Sequence, residues 1–499
     1  MNRAAFFGLL FIGQLMACGD NGEEEVPKEI LPSTKYEARC EMPRSGTDPA
    51  TGEKFTDQGG SLLDEQLWLR SWINETYLWY QEVPTTDPRT FMTATDYFDV
   101  LKTPATTPSG KAKDQFHFTF DTAEWEALAG SGTEASYGLE WELVATKPPR
   151  KLVVAFVTKD TPADKAGMKR GTEVLTIDGV SVIDGSDVDT LNNGISPSDV
   201  NQTHTFVVKD QGEDGSHEVM MTSASIALQP VQLTQVLPLA TDKIGYIHFT
   251  DHIATAEKGL VDAITTLKGQ AITDLVLDIR YNGGGFLDIA AELGFMIAGP
   301  SAVGKVFERE AFNDKHPTTD IFDQPLVPTP FIDHTEGFSV SRGMALPHLD
   351  LTRVFVLTGP GTCSASEAVM NGLAGAGIEV IQIGTTTCGK PYGFFPQDNC
   401  GTTYFAIQFQ GVNDKGFGDY ADGFTPGGVN KGCVVEDDFS KQLGDPTEGR
   451  LAAALTYRAT GACLPAVAPP ASHSIAAPPA GEALRTKPMW RQNRILERR

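Results

Sequence analysis

The sequence predicts an α/β protein with a largely parallel sheet, preceded by a β-rich segment and by a small helical segment. From Thr241 onward, buried apolar runs alternate with stretches of helical length, which is the pattern of βαβ units. From Ser136 to about Leu228 the apolar runs are shorter and turn residues separate them, which predicts short strands. A chain of 499 residues has room for about two to four domains.

The composition excludes some partners before any motif is considered. The apolar share of 40% and the charged share of 21% are ordinary for a globular protein. The net charge of −25 argues against nucleic acid and against anionic lipid surfaces, because both would repel it. We therefore expect no nucleic-acid partner and interpret the charge as a source of solubility.

Residues 1–17 are predicted to be a signal peptide. Arg3 precedes the mostly apolar run Ala4–Met16, which is too short to span a membrane. A small residue directly before Cys18 predicts cleavage there and lipid attachment to the thiol, as in bacterial lipoproteins; an ordinary secretory signal is the alternative. Residues 18–60 would then be a lipidated tether on the periplasmic side of the outer membrane, with the inner membrane or the cell surface as alternatives.

Export would allow the other six of the seven cysteines to form disulfides. Cys388 and Cys400 flank a predicted hairpin and are therefore the first pairing that we expect. Cys433 with Cys463 is the second. No metal site is expected, because the sequence has no C-x-x-C motif and no clustered histidines.

Residues 61–130 are predicted to form a small helical N-terminal domain. Leu63–Tyr80 carries apolar and aromatic residues at helical spacing, and Phe91–Leu101 is predicted to be a second helix. Lys102–Lys113 is rich in Pro, Thr, Gly and Lys and is predicted to be a loop. The aromatic residues are interpreted as packing against the rest of the protein, with a ligand-binding box as the alternative.

Residues 135–228 resemble a PDZ domain. The resemblance depends on a strand at Leu152–Val157, a short helix that ends at Gly167, and the strand and turn Val174–Gly179. PDZ domains bind peptide ends by strand addition, and their main-chain N–H groups hold the terminal carboxylate. The resemblance implies that Tyr137, Gly138 and Leu139 form this carboxylate site; a regulatory lid without peptide binding is the alternative.

Residues 232–461 are predicted to form the α/β core. An insertion at 299–351 interrupts the alternation, and a segment this long is expected to cover a site or to contain its own elements. Residues 464–499 are rich in Pro and Ala and then in Arg, which predicts a disordered tail. The predicted core strands are Ile244–Phe249, Asp274–Ile279, Val354–Leu357 and Glu379–Ile383, and the predicted helices are Thr255–Leu267, Phe286–Ala298 and Ala365–Ala374.

Three loops follow predicted strands and carry residues suited to chemistry. Asn282-Gly283-Gly284-Gly285 follows the second core strand, Ser364 follows the third, and Lys390 follows the fourth. In parallel sheets, ligands bind beyond the carboxyl ends of the strands, so we expect the three loops to meet at one edge.

The residue types in these loops suggest nucleophilic catalysis. Ser364 is a weak nucleophile until a base removes its proton, and a partly desolvated Lys390 can be that base. The glycines can turn backbone N–H groups towards a developing oxyanion. The alternatives are a phosphate-binding or plain turn for the glycines, a helix N-cap for Ser364, and a surface charge for Lys390.

The same residues, in the same order, resemble the carboxyl-terminal processing (tail-specific) proteases. The motifs are the glycine loop, Ser364-Ala365-Ser366-Glu367, Gly389-Lys390 and Asp422–Pro426, and the likeness covers about Leu63–Gly461. The resemblance implies an endopeptidase on a ClpP/crotonase-like α/β core, with no metal and no cofactor. It implies Ser364 as nucleophile and Lys390 as general base. It further implies Gly283 or Gly284 as oxyanion donors, together with a backbone N–H at Ser364 or Ala365.

The sequence departs from that family at the residues that orient the lysine. Phe394 stands where a glutamine often follows the lysine, and Gln397 is the nearest glutamine. Ala374 and Gly375 stand where an acidic residue often follows the serine, and Asn371 is the nearest polar residue. Asn371 and Gln397 are therefore the candidate orienting residues, and the departures indicate a divergent branch of exported proteases.

The predicted function is an exported serine endopeptidase that hydrolyses protein or peptide substrates, with a PDZ-like segment that selects them by their tails. The alternative is a lipoprotein on the same fold that binds peptides or small apolar ligands without turnover. Crotonase-type acyl-CoA chemistry would share the oxyanion glycines, but it explains neither the signal sequence nor the PDZ-like segment.

Overall fold

The computed structural model describes residues 26–48, 52–238, 242–463 and 494–496. The predicted signal peptide, Cys18 and most of the segment 464–499 lie outside these residues. Within the described ranges, no helix is long and apolar enough to cross a membrane.

The N-terminal region, residues 26–131, is mainly helical. Its longest helix begins after Ser61, whose side chain accepts a hydrogen bond from the Asp64 N–H, while the Asp64 carboxylate accepts one from the Ser61 N–H. The helix ends at Thr76, earlier than predicted, because the Leu78 N–H donates to the Ile407 carbonyl at 2.8 Å. The elements are β1 (Arg39–Cys40), β2 (Gln58–Gly59), α1 (Leu62–Thr76), α2 (Ala94–Val100), β3 (Phe118–Asp121) and α3 (Thr122–Ser131).

This region shares one hydrophobic cluster with the core. Trp68 and Trp72 of α1 are stacked with ring centroids 5.4 Å apart, and both pack on Tyr404 of the core. The Cys40–Cys400 disulfide adds a covalent link between the two regions. The cluster also includes Cys363, Tyr392, Phe394 and Phe405 of the core.

The β-rich region, residues 133–227, has a hydrophobic cluster of its own. Its main sheet has the order β10-β9-β7-β6-β5, with β8 beside β7, so β5 is an edge strand. β4 and β11, the first and last strands of the region, pair with each other, and Ser136 lies opposite Ala224. The elements are β4 (Thr133–Ser136), β5 (Leu139–Ala145), β6 (Lys151–Val157), α4 (Pro162–Lys165), β7 (Glu173–Ile177), β8 (Val180–Ser181), α5 (Val188–Ile195), β9 (Thr203–Lys209), β10 (His217–Thr222) and β11 (Ala224–Ala227).

The core is a six-stranded sheet in the order β12-β13-β14-β18-β19-β24. β12 and β13 are antiparallel, and every other neighbouring pair is parallel, which confirms the predicted α/β class. The main elements are β12 (Val231–Pro238), β13 (Lys243–Phe249), α6 (Ala256–Gly269), β14 (Asp274–Asp278), β15 (Gly284–Phe286), α7 (Leu287–Ala298), β16 (Val306–Ala311), β17 (Thr329–Pro330), β18 (Arg353–Thr358), α8 (Ala365–Gly375), β19 (Glu379–Gly384), β20 (Tyr392–Gly393), β21 (Gln397–Asn399), β22 (Thr402–Phe405), β23 (Phe409–Val412), β24 (Lys431–Val434), α9 (Gly449–Thr460) and β25 (Arg494–Leu496).

Both faces of the core sheet are covered, which explains why its strands are continuous apolar runs. On β18, Val354 and Val356 pack with α6, α7 and α8, whereas Phe355 and Leu357 pack with Leu451 of α9 on the opposite face. The alternation of side chains along each strand sends successive residues into two different clusters.

The insertion 299–351 contains two strands, β16 and β17. β16 belongs to a small sheet in the order β17-β16-β23-β20. Glu257 of α6 accepts hydrogen bonds from the N–H groups of Gly337, Ser339 and Val340 at 2.6–2.9 Å. Burial, with Glu257 nearby, raises the pKa of Glu292 on α7 to about 8. These two buried acids fix part of the insertion against the helices.

Two predictions about the chain require correction. The Cys433–Cys463 disulfide is confirmed, but Cys388 is bonded to Cys363, and Cys400 is bonded to Cys40. Cys400 lies in the turn between β21 and β22, where it faces the N-terminal region rather than Cys388. The segment 464–499 was predicted to be disordered throughout, yet residues 494–496 form β25, paired with β15.

Candidate active site

The three predicted loops meet at one edge of the core sheet. β14, β18 and β19 are parallel, so the loops that follow them leave from the same side. The Asn282 carbonyl accepts hydrogen bonds from the Cys363 N–H at 3.1 Å and from Ser366 Oγ at 3.0 Å. The Cys388 N–H donates to the Thr362 carbonyl at 3.0 Å. Main-chain contacts therefore connect the serine loop to both of its neighbours.

Ser364 has an unusual backbone conformation directly before α8. Its φ of 60° and ψ of −120° lie in a region that costs a residue with a side chain about 1–3 kcal/mol. The side chain is fully buried, and Oγ has no hydrogen-bond partner among the described residues. The fold thus maintains a strained turn that places the Ser364 hydroxyl group at the N-terminus of α8.

Lys390 is fully buried, so its interpretation as a surface charge is wrong. Its Nζ lies 4.1 Å from the ring centroid of Phe394 and 4.9 Å from that of Phe116. Burial disfavours the charged form of an amine, whereas aromatic faces attract it. Phe394, which replaces the expected glutamine, is therefore a direct neighbour of the lysine. Phe116 comes from the N-terminal region.

Glu367 fixes the serine loop to the lysine loop. Its buried carboxylate accepts hydrogen bonds from the N–H groups of Ser364 at 3.0 Å, Gly389 at 2.9 Å and Lys390 at 2.8 Å. Thr387 Oγ1 donates to the same carboxylate at 2.5 Å. Burial raises the pKa of Glu367, although these hydrogen bonds oppose the rise. Glu367 is the last residue of the S-A-S-E motif, but its role in joining the loops was not predicted from the sequence.

The Cys363–Cys388 disulfide is a second link between the same two loops. Cys363 directly precedes Ser364, and Cys388 lies two residues before Lys390. This pairing was not predicted from the sequence. Only the placement of both cysteines beside the candidate residues could have suggested it.

The glycine loop follows β14, and its hydrogen bonds limit the predicted oxyanion donors. The Gly284 N–H donates to Asn282 Oδ1 at 3.0 Å, and His252 Nδ1 lies 3.0 Å from the same oxygen. At Gly285, with φ of 140°, a Cβ would lie 2.4 Å from the His252 carbonyl oxygen, so only glycine fits. The Gly284 N–H is therefore already hydrogen-bonded within the protein and is not available as an oxyanion donor. Gly283 lies directly before β15.

The two candidate orienting residues lie in different environments. Asn371 Nδ2 donates to the Phe417 carbonyl at 3.0 Å, and its Oδ1 accepts from Asn413 Nδ2 at 2.9 Å. These contacts connect Asn371 to the loop after β23 rather than to Lys390. Gln397 is the first residue of β21 and pairs with Tyr404.

The predicted carboxylate loop of the β-rich region lies at the start of the edge strand β5. Gly138 has φ of 80°, and a Cβ there would lie 2.3 Å from the Thr161 side chain. Tyr137 is buried, and Leu139 is the first residue of β5. An adjoining cavity would repel a peptide carboxylate, because three acidic side chains are among its lining: Glu134, Glu140 and Asp251. The open edge of β5 is therefore better suited to a peptide than the loop itself.

Two groups of cysteine and glutamate atoms lie close enough to hold a metal ion. They are Cys40, Glu65 and Cys400, and Cys363, Glu367 and Cys388, with the atoms of each group within 4.8 Å. Both sulfur atoms of each group form a disulfide, so they offer no thiolate to an ion.

A buried ion network connects the β-rich region to the residues before the glycine loop. Arg170 donates to Asp437 Oδ1 at 2.6 Å and to the Tyr281 hydroxyl at 2.7 Å. Arg280 donates to the same Asp437 oxygen at 2.7 Å and to Glu448 Oε1 at 2.8 Å. Burial alone would raise the pKa of Asp437, but the surrounding arginines hold it well below its usual value. Asp437 is therefore ionised between these two arginines.

Comparison with known families identifies two segments of the chain. Residues 243–397 match the family model for peptidase family S41, and residues 64–118 match the model for the peptidase S41 N-terminal domain. The first segment contains all three candidate loops. The second contains Phe116.

Curated relatives match about half of the chain. A carboxyl-terminal-processing protease of Picosynechococcus sp. is 25% identical over 245 residues, which cover 48% of this chain and 50% of that protein. Carboxy-terminal processing protease CtpB of Bacillus subtilis is 26% identical over 242 residues, which cover 48% of this chain and 44% of that protein. The chain thus spans about half the length of the curated relatives it matches.

Among solved structures, a Bacteroides fragilis protein provisionally assigned as an S41 protease has a similar fold. The TM-score is 0.60 at 22% sequence identity, over 79% of this chain and 97% of that chain. The likeness concerns the fold, and it agrees with the helical N-terminal region, the β-rich region and the parallel core. The two family models assign residues 64–118 and 243–397 of the chain to peptidase family S41.

Proposed function

We propose that the chain is a serine endopeptidase in which Ser364 is the nucleophile and Lys390 the general base. The observation that carries the proposal is that one carboxylate and one disulfide fix the loops of both residues together. Both side chains are buried at the sheet edge where the glycine loop also ends. Peptidases of family S41 are serine-type, which agrees with this assignment.

In this mechanism, neutral Lys390 accepts the Ser364 proton while Oγ attacks the peptide carbonyl. Lys390 then returns the proton to the departing amine, and an acyl-enzyme remains on Ser364. Water, activated by the same amine, hydrolyses the ester and restores both groups. The complete burial of Lys390 favours the neutral amine that the first step requires.

The oxyanion would form beside the glycine loop and the start of α8. The N–H groups of Ser364 and Gly284 are occupied by Glu367 and Asn282. We therefore assign the donors to the N–H groups of Gly283 and Ala365. The partial positive charge at the beginning of α8 would add to the stabilisation.

Protein or peptide substrates would reach this site with the help of the β-rich region. β5 is an edge strand whose outer side can accept an extended peptide by strand addition. We propose that the outer edge of β5 holds an extended part of the substrate while the chain is cleaved at Ser364.

We further propose that the protein works after export, anchored by a lipid on Cys18 at the periplasmic side of the outer membrane. Three disulfides support an oxidising compartment, because such bonds persist outside the cytosol. Mass spectrometry of the membrane fraction would test the anchor. A mature chain that begins at Cys18 with added acyl mass is the expected result, and a soluble chain without it would contradict the anchor.

Two substitutions test the dyad. Ser364→Ala and Lys390→Ala should each lower hydrolysis of an unfolded protein by about a thousandfold or more, because nucleophile and base act as a unit. Ser198→Ala and Lys431→Ala are matched controls at positions remote from the site and should retain activity. Circular dichroism would verify that all four variants are folded. Activity retained in either dyad variant would overturn the assignment.

Covalent labelling distinguishes the peptidase from a binding protein on the same fold. A fluorophosphonate probe should label the wild-type chain at Ser364 and should label Lys390→Ala much more slowly. No labelling of folded wild-type protein would favour a binding lipoprotein instead.

A further inference from the structure

Residues 494–496, which form β25, lie along one edge of β15, the strand that contains Gly284 and Gly285. β25 pairs with β15 in parallel, with Arg494 opposite Gly284, Ile495 opposite Gly285 and Leu496 opposite Phe286. β25 also lies beside β20, the strand that begins two residues after Lys390. A backbone segment from the far end of the sequence therefore lies between the glycine loop and the lysine loop.

The hydrogen bonds on the other edge of β15 show which backbone groups face β25. The His252 N–H donates to the Gly284 carbonyl at 2.9 Å, and the Phe286 N–H donates to the His252 carbonyl at 2.8 Å. Since backbone groups alternate between the two edges of a strand, the N–H and C=O of Gly285 face the opposite side. In the observed register they pair with the Arg494 carbonyl and with the Leu496 N–H.

Charge favours the same placement. Residues 485–499 contain six basic residues and one acidic residue, a net charge of +5. The chain as a whole carries −25, so the remaining residues carry −30 (−25 − 5). Opposite net charges raise the local concentration of such a segment near the rest of the protein.

We propose that the segment around β25 is an internal competitor of peptide substrates, held by strand addition to β15. This inference rests on the proposed function, because the edge of β15 that the segment occupies adjoins the site assigned to peptide hydrolysis. The ligand is an extended basic peptide that is recognised mainly through its backbone. Displacement of this segment would precede binding of any peptide along Gly284–Phe286.

A full-length variant tests the pairing without truncation. Leu496→Pro removes the N–H that pairs with the Gly285 carbonyl, whereas Leu496→Ala keeps it and is the matched control. A tethered ligand has an effective concentration on the order of 1 mM, so a segment with a Kd of about 0.1 mM raises the KM of a competitor roughly tenfold. Leu496→Pro should therefore lower KM for an unfolded protein substrate about tenfold, with kcat nearly unchanged.

Binding provides a readout that is independent of hydrolysis. A labelled peptide of residues 485–499 should bind the Ser364→Ala/Leu496→Pro chain about tenfold more tightly than Ser364→Ala alone, by fluorescence anisotropy. The same peptide carrying Leu496→Pro should bind more weakly to both, because it lacks the N–H that pairs with the Gly285 carbonyl. The unlabelled peptide should inhibit the Leu496→Pro enzyme competitively.

Three results would overturn the inference: equal KM values for Leu496→Pro and Leu496→Ala, equal binding of the native peptide and its Leu496→Pro form, or Ser364-dependent removal of the segment as seen by intact mass. The last result would make the segment a substrate rather than a competitor. If no variant hydrolyses any substrate, the proposed function fails, and the anisotropy measurement alone decides whether the segment occupies the edge of β15.

Discussion

The N-terminal region shares a large hydrophobic cluster and a disulfide with the core. The β-rich region has a separate cluster and meets the core through buried ion pairs and a small cluster of Ala155, Phe156 and Tyr281. The first region contributes Phe116 to the surroundings of Lys390. The second places Arg170 in a network next to Tyr281, which precedes the glycine loop.

The N-terminal region is therefore a structural part of the site, whereas the β-rich region is a module attached to the core. The cluster shared with the N-terminal region includes Cys363 and Phe394, which adjoin the candidate nucleophile and base. The β-rich region begins and ends at one strand pair, β4 and β11. We therefore expect damage to the first region to change catalysis and damage to the second to change mainly stability and substrate capture.

The largest expected effect comes from removing each region. Excision of residues 137–223, with Ser136 joined to Ala224 by an Asn-Gly turn, should leave a folded core, because these two residues are already paired. Its Ser364 should still react with a fluorophosphonate probe. Deletion of residues 26–131 should abolish cooperative folding, since it exposes the shared cluster and leaves Cys400 unpaired. Thermal melts would measure both, and a folded, reactive core after the second deletion would contradict the comparison.

A matched pair of phenylalanines tests the same contrast at single residues. Phe116→Ala and Phe156→Ala each remove a buried ring and should each lower the free energy of unfolding by about 3–5 kcal/mol. Only Phe116→Ala should also lower kcat on a short peptide, by about tenfold, because it admits water beside Lys390. Steady-state kinetics below the melting temperatures would separate the two effects. An equal fall in kcat for both variants would refute the distinction.

The ion network offers a smaller perturbation. Arg170→Met should lower the free energy of unfolding by about 3 kcal/mol, since it breaks a buried pair, while Asp437 keeps Arg280 as a partner. Hydrogen exchange should accelerate in β6 and remain unchanged in α1. Arg309→Met, at a more exposed and longer ion pair, is the control and should have little effect. Faster exchange in α1 would show that the two regions are not independent.

The smallest expected effect is a pH dependence at the contact between the β-rich region and the core. Burial lowers the pKa of His248 from 6.5 to about 4, and its ring meets Phe156 edge-on with centroids 5.0 Å apart. A lowered pKa means that the unfolded chain binds the proton first. The neutral, buried His248 therefore contributes at most about 3 kcal/mol to the free energy of unfolding. This contribution is complete above pH 6.5 and is lost as the pH falls towards 4.

Urea unfolding between pH 7 and pH 4.5 would measure the loss, with His248→Gln as the control that cannot titrate. The charged groups that face His248 are Asp278, Asp437, Arg280 and Arg170, and both aspartates have lowered pKa values. They stay ionised in this range, so the histidine should account for the difference between the two proteins. Identical pH profiles would disprove the role of His248.

Much of the core could be predicted from the sequence, because its patterns are local. The strands 353–358 and 379–384 are apolar runs covered on both faces, and their order alone places Ser364 and Lys390 at one edge.

The details that tune the site depend on long-range contacts and could not be predicted. Cys40 pairs with a residue 360 positions away, and Phe116 reaches Lys390 from a different region. The four hydrogen bonds to Glu367 depend on how two loops approach each other, which no sequence pattern specifies. β25 was missed because three residues in a basic segment carry no strand signal of their own.

The Cys363–Cys388 bond has a consequence for when the protein becomes competent. Thiols stay reduced in the cytosol, so a chain still in the compartment of its synthesis lacks one of the two links between the loops of Ser364 and Lys390. In the reduced chain, the Glu367 carboxylate would remain as a link between the two loops. In the proposed peptidase, this order of events would protect newly made cytosolic proteins, because full activity would appear only after the enzyme had left them.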